Sequence, residues 1–142
     1  MPIRVSWTER AFWISLPAPV LSASRPCRAV ENSVEGRSLL WENIDAFGLH
    51  GRARILRRDA TDLGPSNNIE PFDLLFADPP YGKGLGEKAM LSAHKGGWLA
   101  PGALVILEER GDVQVTVDPV FAFTEERTFG DTKMYFFSYR PA

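Results

Sequence analysis

Four consecutive residues, Asp78-Pro79-Pro80-Tyr81, concentrate the chemistry this sequence can offer. The Asp78 carboxylate and the Pro79 carbonyl are two acceptors able to hold an exocyclic amino group of an aromatic ring. Such a nitrogen keeps its lone pair conjugated into the ring and becomes a nucleophile only as it turns tetrahedral. Acceptors placed on its protons favour that change. Two successive prolines fix the backbone, so the Pro79 carbonyl keeps its direction, which is electrostatic preorganisation. Tyr81 offers a flat face on which an extruded base can stack. The tetrad also suits an ordinary turn, because Asp and Pro are common turn residues. Its position favours the chemical reading: it follows the apolar run Phe72 to Ala77, and ligands of open α/β sheets bind outside the carboxyl ends of strands.

The elements that would position the tetrad alternate between strand-like and helix-like segments from about Arg28 onward. That order builds a parallel sheet covered by helices, an α/β fold. Ala29-Val30 reads as the tail of a strand. Ser33 can cap a helix running to Phe47, with Val34, Leu39, Leu40, Ile44 and Phe47 as its apolar positions and Gly48 as its stop. A strand follows at Ala53 to Leu56 and leads into Arg58-Asp59-Ala60-Thr61, and Gly64 to Glu70 reads as a loop. Phe72 to Ala77 is the clearest strand, ended by prolines that cannot donate to a ladder. Leu85 to His94 reads as a helix with Gly96-Gly97 as its exit, and Ala103 to Glu108 as the next buried strand. Phe121 to Arg127 and Lys133 to Tyr139 read as a hairpin around Gly130-Asp131.

The 142 residues, 44% of them hydrophobic, are enough for one domain with a modest core. A net charge of -2 gives no general attraction to nucleic acid, so RNA would have to be held by local patches. Lys83, Arg127 and Lys133 are candidates for phosphate contact, although scattered basic residues are usually solvated surface. The single cysteine, Cys27, excludes an intramolecular disulfide and is too few for a cysteine-based zinc site, which makes a reducing cytoplasm the default. The apolar runs fall far short of the ~20 residues that cross a bilayer. His50 and His94 read as surface residues at helix ends.

A wider set of segments occurs in a fixed order: Glu31-Asn32-Ser33, Leu39-Leu40 with Glu42-Asn43-Ile44, Arg58-Asp59-Ala60, the tetrad with Gly82-Lys83-Gly84-Leu85, Gly97-Trp98-Leu99-Ala100-Pro101-Gly102, and Glu126 to Thr132. The tetrad alone resembles the signature of amino-methyltransferases acting on adenine N6, guanine N2 or glutamine. The ordered set, from about Ala29 to the end, resembles the RsmD family, which methylates guanine N2 in 16S ribosomal RNA. The resemblance implies a Rossmann-like fold dependent on S-adenosylmethionine, with ribosomal RNA or the assembling small subunit as partner and neither membrane nor metal involved. By position it makes Asp78, Pro79, Pro80 and Tyr81 the catalytic set. Glu31 and Asn32 would lie at the cofactor's ribose, Asp59 with the Ala60 backbone at its adenine, and Asp78 beside it. Taken alone, Glu31 also suits a helix N-terminal acid, and Asp59 a solvated turn. Adenine-N6 methylation of DNA and a non-catalytic RNA-binding fragment are the alternative functions.

The first stretch departs from that family. Its glycine-rich loop, similar to Asp-Leu-Phe-Ala-Gly-Thr-Gly-Ala-Leu-Gly, should precede the acidic residue, yet no glycine occurs before Gly36. The run from Thr8 to Arg25 has no clear helix or strand period, and Pro17 and Pro19 oppose both. A shift of reading frame accounts for it. The family-like peptide Gly-Ala-Arg-Val-Leu-Asp-Leu-Phe-Ala-Gly-Thr-Gly-Ala-Leu-Gly-Leu-Glu, encoded with suitably chosen wobble bases and read one base later, translates as Glu9 to Arg25 without a mismatch. Residues 1–28 are therefore expected to be an out-of-frame segment, and residues 29–142 a partial methyltransferase domain lacking its proper first strand and glycine loop. Arg4, Arg10, the apolar Phe12 to Ala23 and the small Ser22-Ala23-Ser24 also imitate a signal peptide.

Overall fold

In the computed structural model the described residues are 11–15, 27–30, 34, 37–38, 41–42, 45, 53–79 and 81–141. The described residues form seven strands: β1 (Ala11–Ser15), β2 (Cys27–Val30), β3 (Ala53–Leu56), β4 (Phe72–Asp78), β5 (Leu99–Arg110), β6 (Phe121–Phe129) and β7 (Thr132–Tyr139). Helix α1 (Leu85–Lys95) connects β4 to β5, the right length of crossover for the parallel pair they form. A 3-10 turn at Ala60–Asp62 follows β3. Residues 34, 37, 38, 41, 42 and 45 are helical, as the periodicity predicts, but Val34 is exposed rather than part of an apolar face.

The described strands form a single sheet in the order β3-β2-β1-β4-β5-β7-β6. β2 runs parallel to β3, β4 parallel to β5, and β7 antiparallel to both β5 and β6. The central position belongs to β1, which runs antiparallel to both neighbours and pairs Ala11 with Asp78 and Ser15 with Leu74. No parallel first strand occupies that slot. The absence of a local period around Thr8 to Arg25 did not forecast a strand there. The physical reason is non-local: without β1, both β2 and β4 would have an unpaired backbone edge, and Phe12, Trp13 and Ile14 are residue types that favour strands.

α1 packs on one face of β4 and β5. Its buried residues Gly86, Ala89, Met90 and Ala93 face Leu75 and Ala77 of β4 and Val105 and Leu107 of β5, all buried. Each fully buried large side chain among them contributes about 1.5–3 kcal/mol. Close approach depends on Gly86, where a Cβ would lie 2.2 Å from Leu107 Cδ1 and 3.1 Å from Pro79 Cγ. The helix start is thereby pressed against the proline that follows β4.

Candidate active site

Side chains alternate across a strand, and the register sets which carboxylates converge. Ala77 pairs with Leu107, and both are buried under α1. Asp78 and Glu108 therefore lie level on adjacent strand ends and share the opposite face. Asp78 is half-buried at the last position of β4, and Pro79 is buried immediately beyond it. Pro80 lies outside the described residues. The chain then turns over the end of β5, and the Tyr81 hydroxyl donates to Glu108 Oε1 at 2.8 Å. Burial, followed by that hydrogen bond, pushes the Tyr81 phenol up to about 12, the nearby charges of Glu108 and Asp78 add to the rise, and the Thr132 side chain opposes it. Asp78, Tyr81 and Glu108 thus form one group, with its aromatic ring anchored by its own hydroxyl.

On the other face, Glu109 is completely buried. Its Oε1 accepts the Gly82 N–H at 3.0 Å and the Arg110 N–H at 2.8 Å. Glu108 and Glu109 therefore hold the turn from opposite sides of one strand, the first by the Tyr81 side chain and the second by the Gly82 backbone. Behind Glu109 stands Glu87 of α1. Burial foremost, and then the charge of Glu109, hold the Glu87 carboxyl above its ordinary range, although its own backbone N–H lowers it. Glu87 Oε1 and Glu109 Oε2 are the two buried side-chain oxygens among the described residues that lack a hydrogen-bond partner. Sequence reasoning missed both Glu108 and Glu109. The signal was two adjacent acids at the carboxyl end of a buried strand, a position where an interior carboxylate calls for a partner.

Glu31 and Asn32, expected at the cofactor, lie outside the described residues; β2 ends at Val30, level with Leu56 of β3. Asp59 and Ala60 do follow the carboxyl end of β3, where Asp59 Oδ1 accepts the Thr61 N–H at 2.9 Å and the Thr61 hydroxyl at 2.7 Å. That capped turn stands just beyond the carboxyl end of β3, at the edge of the sheet. A loop leaving a parallel first strand would emerge beside Asp78, whereas here the chain enters β1 at that edge, with Ala11 against Asp78, and leaves it at the opposite one.

The basic candidates are less available than the sequence implies. Arg127 meets Glu125 at 3.4 Å and lies over the Phe136 ring at 5.4 Å, and Lys133 is 4.0 Å from Glu126. Lys83, exposed beside the tetrad, has no ion pair among the described residues. His94 is not a surface residue: it is half-buried, its Nδ1 is 2.5 Å from the Tyr139 hydroxyl, and its ring packs edge-on against Phe121 and Tyr139. His50 lies outside the described residues. Among the described residues no group of acidic, histidine or cysteine side chains is arranged to hold a metal, and no helix is long and apolar enough to cross a membrane.

The strand order, with the tetrad at the carboxyl end of β4 where the order reverses, defines a Rossmann-like methyltransferase fold. The chain belongs to the RsmD family: the family model described as conserved hypothetical protein 95 matches residues 20–138. Among curated proteins it is 29% identical over 80 residues to ribosomal RNA small subunit methyltransferase D of Haemophilus influenzae, an alignment covering 56% of this chain and 42% of that one. It is 30% identical over 74 residues to an uncharacterized methylase of Rickettsia prowazekii, covering 52% of this chain and 30% of the relative. The matches thus span less than half the length of these relatives. A solved structure from Haemophilus influenzae described as a methylase superposes with a TM-score of 0.66 at 23% identity, covering 79% of this chain and 71% of that one. A methyltransferase structure from Escherichia coli gives 0.63 at 23% identity, covering 80% and 62%.

Proposed function

We propose that this chain carries the base-binding half of a 16S ribosomal RNA guanine-N2 methyltransferase, and that its own methyl transfer is impaired. The observation that supports the site is the Asp78–Tyr81 turn, which leaves β4 where the strand order reverses. An extruded guanine would stack on Tyr81, with its amino group between the Asp78 carboxylate and the Pro79 carbonyl. Both acceptors take hydrogen bonds that strengthen as the nitrogen turns tetrahedral, so they stabilise the transition state more than the ground state. The family's methyl donor would be S-adenosylmethionine, with its adenosine at Asp59, Ala60, Glu31 and Asn32. The reversed β1 puts no outgoing loop beside Asp78 to hold the donor's methionine end, which is why transfer by this chain would be impaired. A cytoplasmic setting follows from a ribosomal substrate.

Residues 1–28 are read as an out-of-frame segment, and the reversed β1 supports that reading. A native first strand in this slot would run parallel to its neighbours. The same observation favours, as second reading, a non-catalytic RNA-binding role. Calorimetric titration with S-adenosylmethionine tests both. This chain should show no micromolar binding, whereas a version carrying the family-like peptide in place of Glu9 to Arg25 should bind and transfer methyl groups to guanine in 16S RNA. Micromolar cofactor binding together with full turnover by the unaltered chain would refute the impairment. Failure of the restored chain to methylate guanine, if it binds cofactor and RNA, would leave the binding role standing alone.

A further inference from the structure

Glu108 has no catalytic duty in the reading above, yet it occupies a notable place. It is half-buried, level with Asp78 on the neighbouring strand, and on the same face. Its Oε1 is fixed by the Tyr81 hydroxyl, its Oε2 is bonded to no other described residue, and among the described residues it has no cationic partner. An acidic group held beside an aromatic platform without a cation is suited to a ligand that brings hydrogen-bond donors.

Resting on the guanine reading of this site, we infer that Glu108 selects guanine by accepting its N1–H. The Watson–Crick edge of guanine presents two neighbouring donors, N1–H and the N2 amino group. With the amino group at Asp78 and Pro79, N1–H falls toward the next carboxylate along the strand ends, which is Glu108. Adenine presents an unprotonated N1 there, so its lone pair would face a carboxylate and neither could donate. The Tyr81 hydroxyl gives this acceptor a fixed direction. One residue therefore supplies the stacking face and orients the group that reads the base's edge.

The test is a fluorescence-polarisation titration of the full chain with dye-labelled, single-stranded RNA in which one guanine stands among uridines. Matched probes carry adenine or 1-methylguanine at that position, the latter having lost the N1 proton. A hydrogen bond to a charged acceptor corresponds to roughly tenfold or more in affinity, so the guanine probe should bind at least about tenfold tighter than either. Glu108→Gln should reduce the guanine-to-adenine ratio to within about threefold, because an amide can both donate and accept. Tyr81→Phe, which keeps the ring and frees Glu108, should reduce it in part. Equal binding of guanine and 1-methylguanine by the unaltered chain overturns the inference, with no dependence on how any variant folds. If Tyr81→Ala still weakens every probe in that case, the stacking site survives and only the role of Glu108 falls. Indifference to both base identity and Tyr81→Ala removes the base site and this inference together.

Discussion

Glu109 offers a direct measure of how firmly the turn after β4 is held. It is 0% exposed, and its Oε1 accepts two backbone N–H groups at 3.0 and 2.8 Å. Glu109→Leu fits the space but takes the acceptor away from the Gly82 and Arg110 amides, whose hydrogen bonds are part-buried. Each such orphan costs about 1–3 kcal/mol, offset in part because a buried carboxyl no longer has to be desolvated. Because water can reach both part-buried amides, the expected net loss is about 1–3 kcal/mol, still a sizeable share of the roughly 5–15 kcal/mol typical of a domain. Glu109→Gln retains a carbonyl oxygen for both amides, and its amide group can donate toward the unpartnered Glu87 Oε1. It should therefore lie within about 1 kcal/mol of the parent chain, in either direction. Urea denaturation followed by tryptophan fluorescence gives the stabilities, and amide hydrogen exchange at Gly82 reports the turn itself. The reasoning is wrong if the glutamine variant loses as much as the leucine variant, or if Gly82 exchanges no faster once the leucine is in place.

Three further outcomes are expected. Gly86→Ala gains up to about 1 kcal/mol of helix propensity but forces its Cβ onto Leu107 and Pro79. Overpacking of about 1–3 kcal/mol should win, and adding Leu107→Val should recover part of the loss in a double-mutant cycle; simple additivity would contradict the contact. The Tyr81 phenol, pushed up to about 12 from 10.0, should titrate late in an absorbance titration and fall in Glu108→Gln. Because the unfolded chain releases this proton first, its contribution to stability is intact below pH 10 and is lost as pH rises toward about 12. Glu87 follows the same sign in a lower window. Its raised carboxyl gives stability that is complete below its ordinary 4.5 and is lost as pH rises through the higher folded value. Glu87→Gln should flatten the stability profile across that interval, and an unchanged slope would show that another group sets it.

The parts of the fold that were legible are those in which local pattern and burial agree. Phe72 to Ala77 is an apolar run followed closely by prolines, and β4 closes one residue later at Asp78. β5 is longer than its apolar segment because Leu99 pairs with Phe72 before Leu104 pairs with Leu74, and Pro101-Gly102 sit in the irregular stretch between. The punctuation was correct there, but pairing resumed on both sides of it. β1 was hidden because a gap between two distant strands, rather than any period in its own residues, calls a strand into that position. Val34 and His94 failed for a related reason, since burial at an element's end depends on what packs there. The tetrad was readable from its residue types, whereas the roles of Glu108 and Glu109 required knowing that the turn folds back over their strand.

β1 is five residues long and carries the only described ladder joining the β2–β3 pair to the β4–β5–β7–β6 block. If it detaches, the sheet comes apart into two pieces and both new edges present open rows of amides and carbonyls, the template on which strands of other chains add. The ladder between β2 and β3 should accordingly open at a lower free energy than the one between β5 and β7, so that the domain behaves as two cooperative units of unequal stability. The tetrad, Glu108 and Glu109 all lie in the larger block. A base-binding surface could therefore outlast the loss of the smaller one, while a population with exposed edges would make self-association, rather than loss of the site, the first failure of this chain on warming.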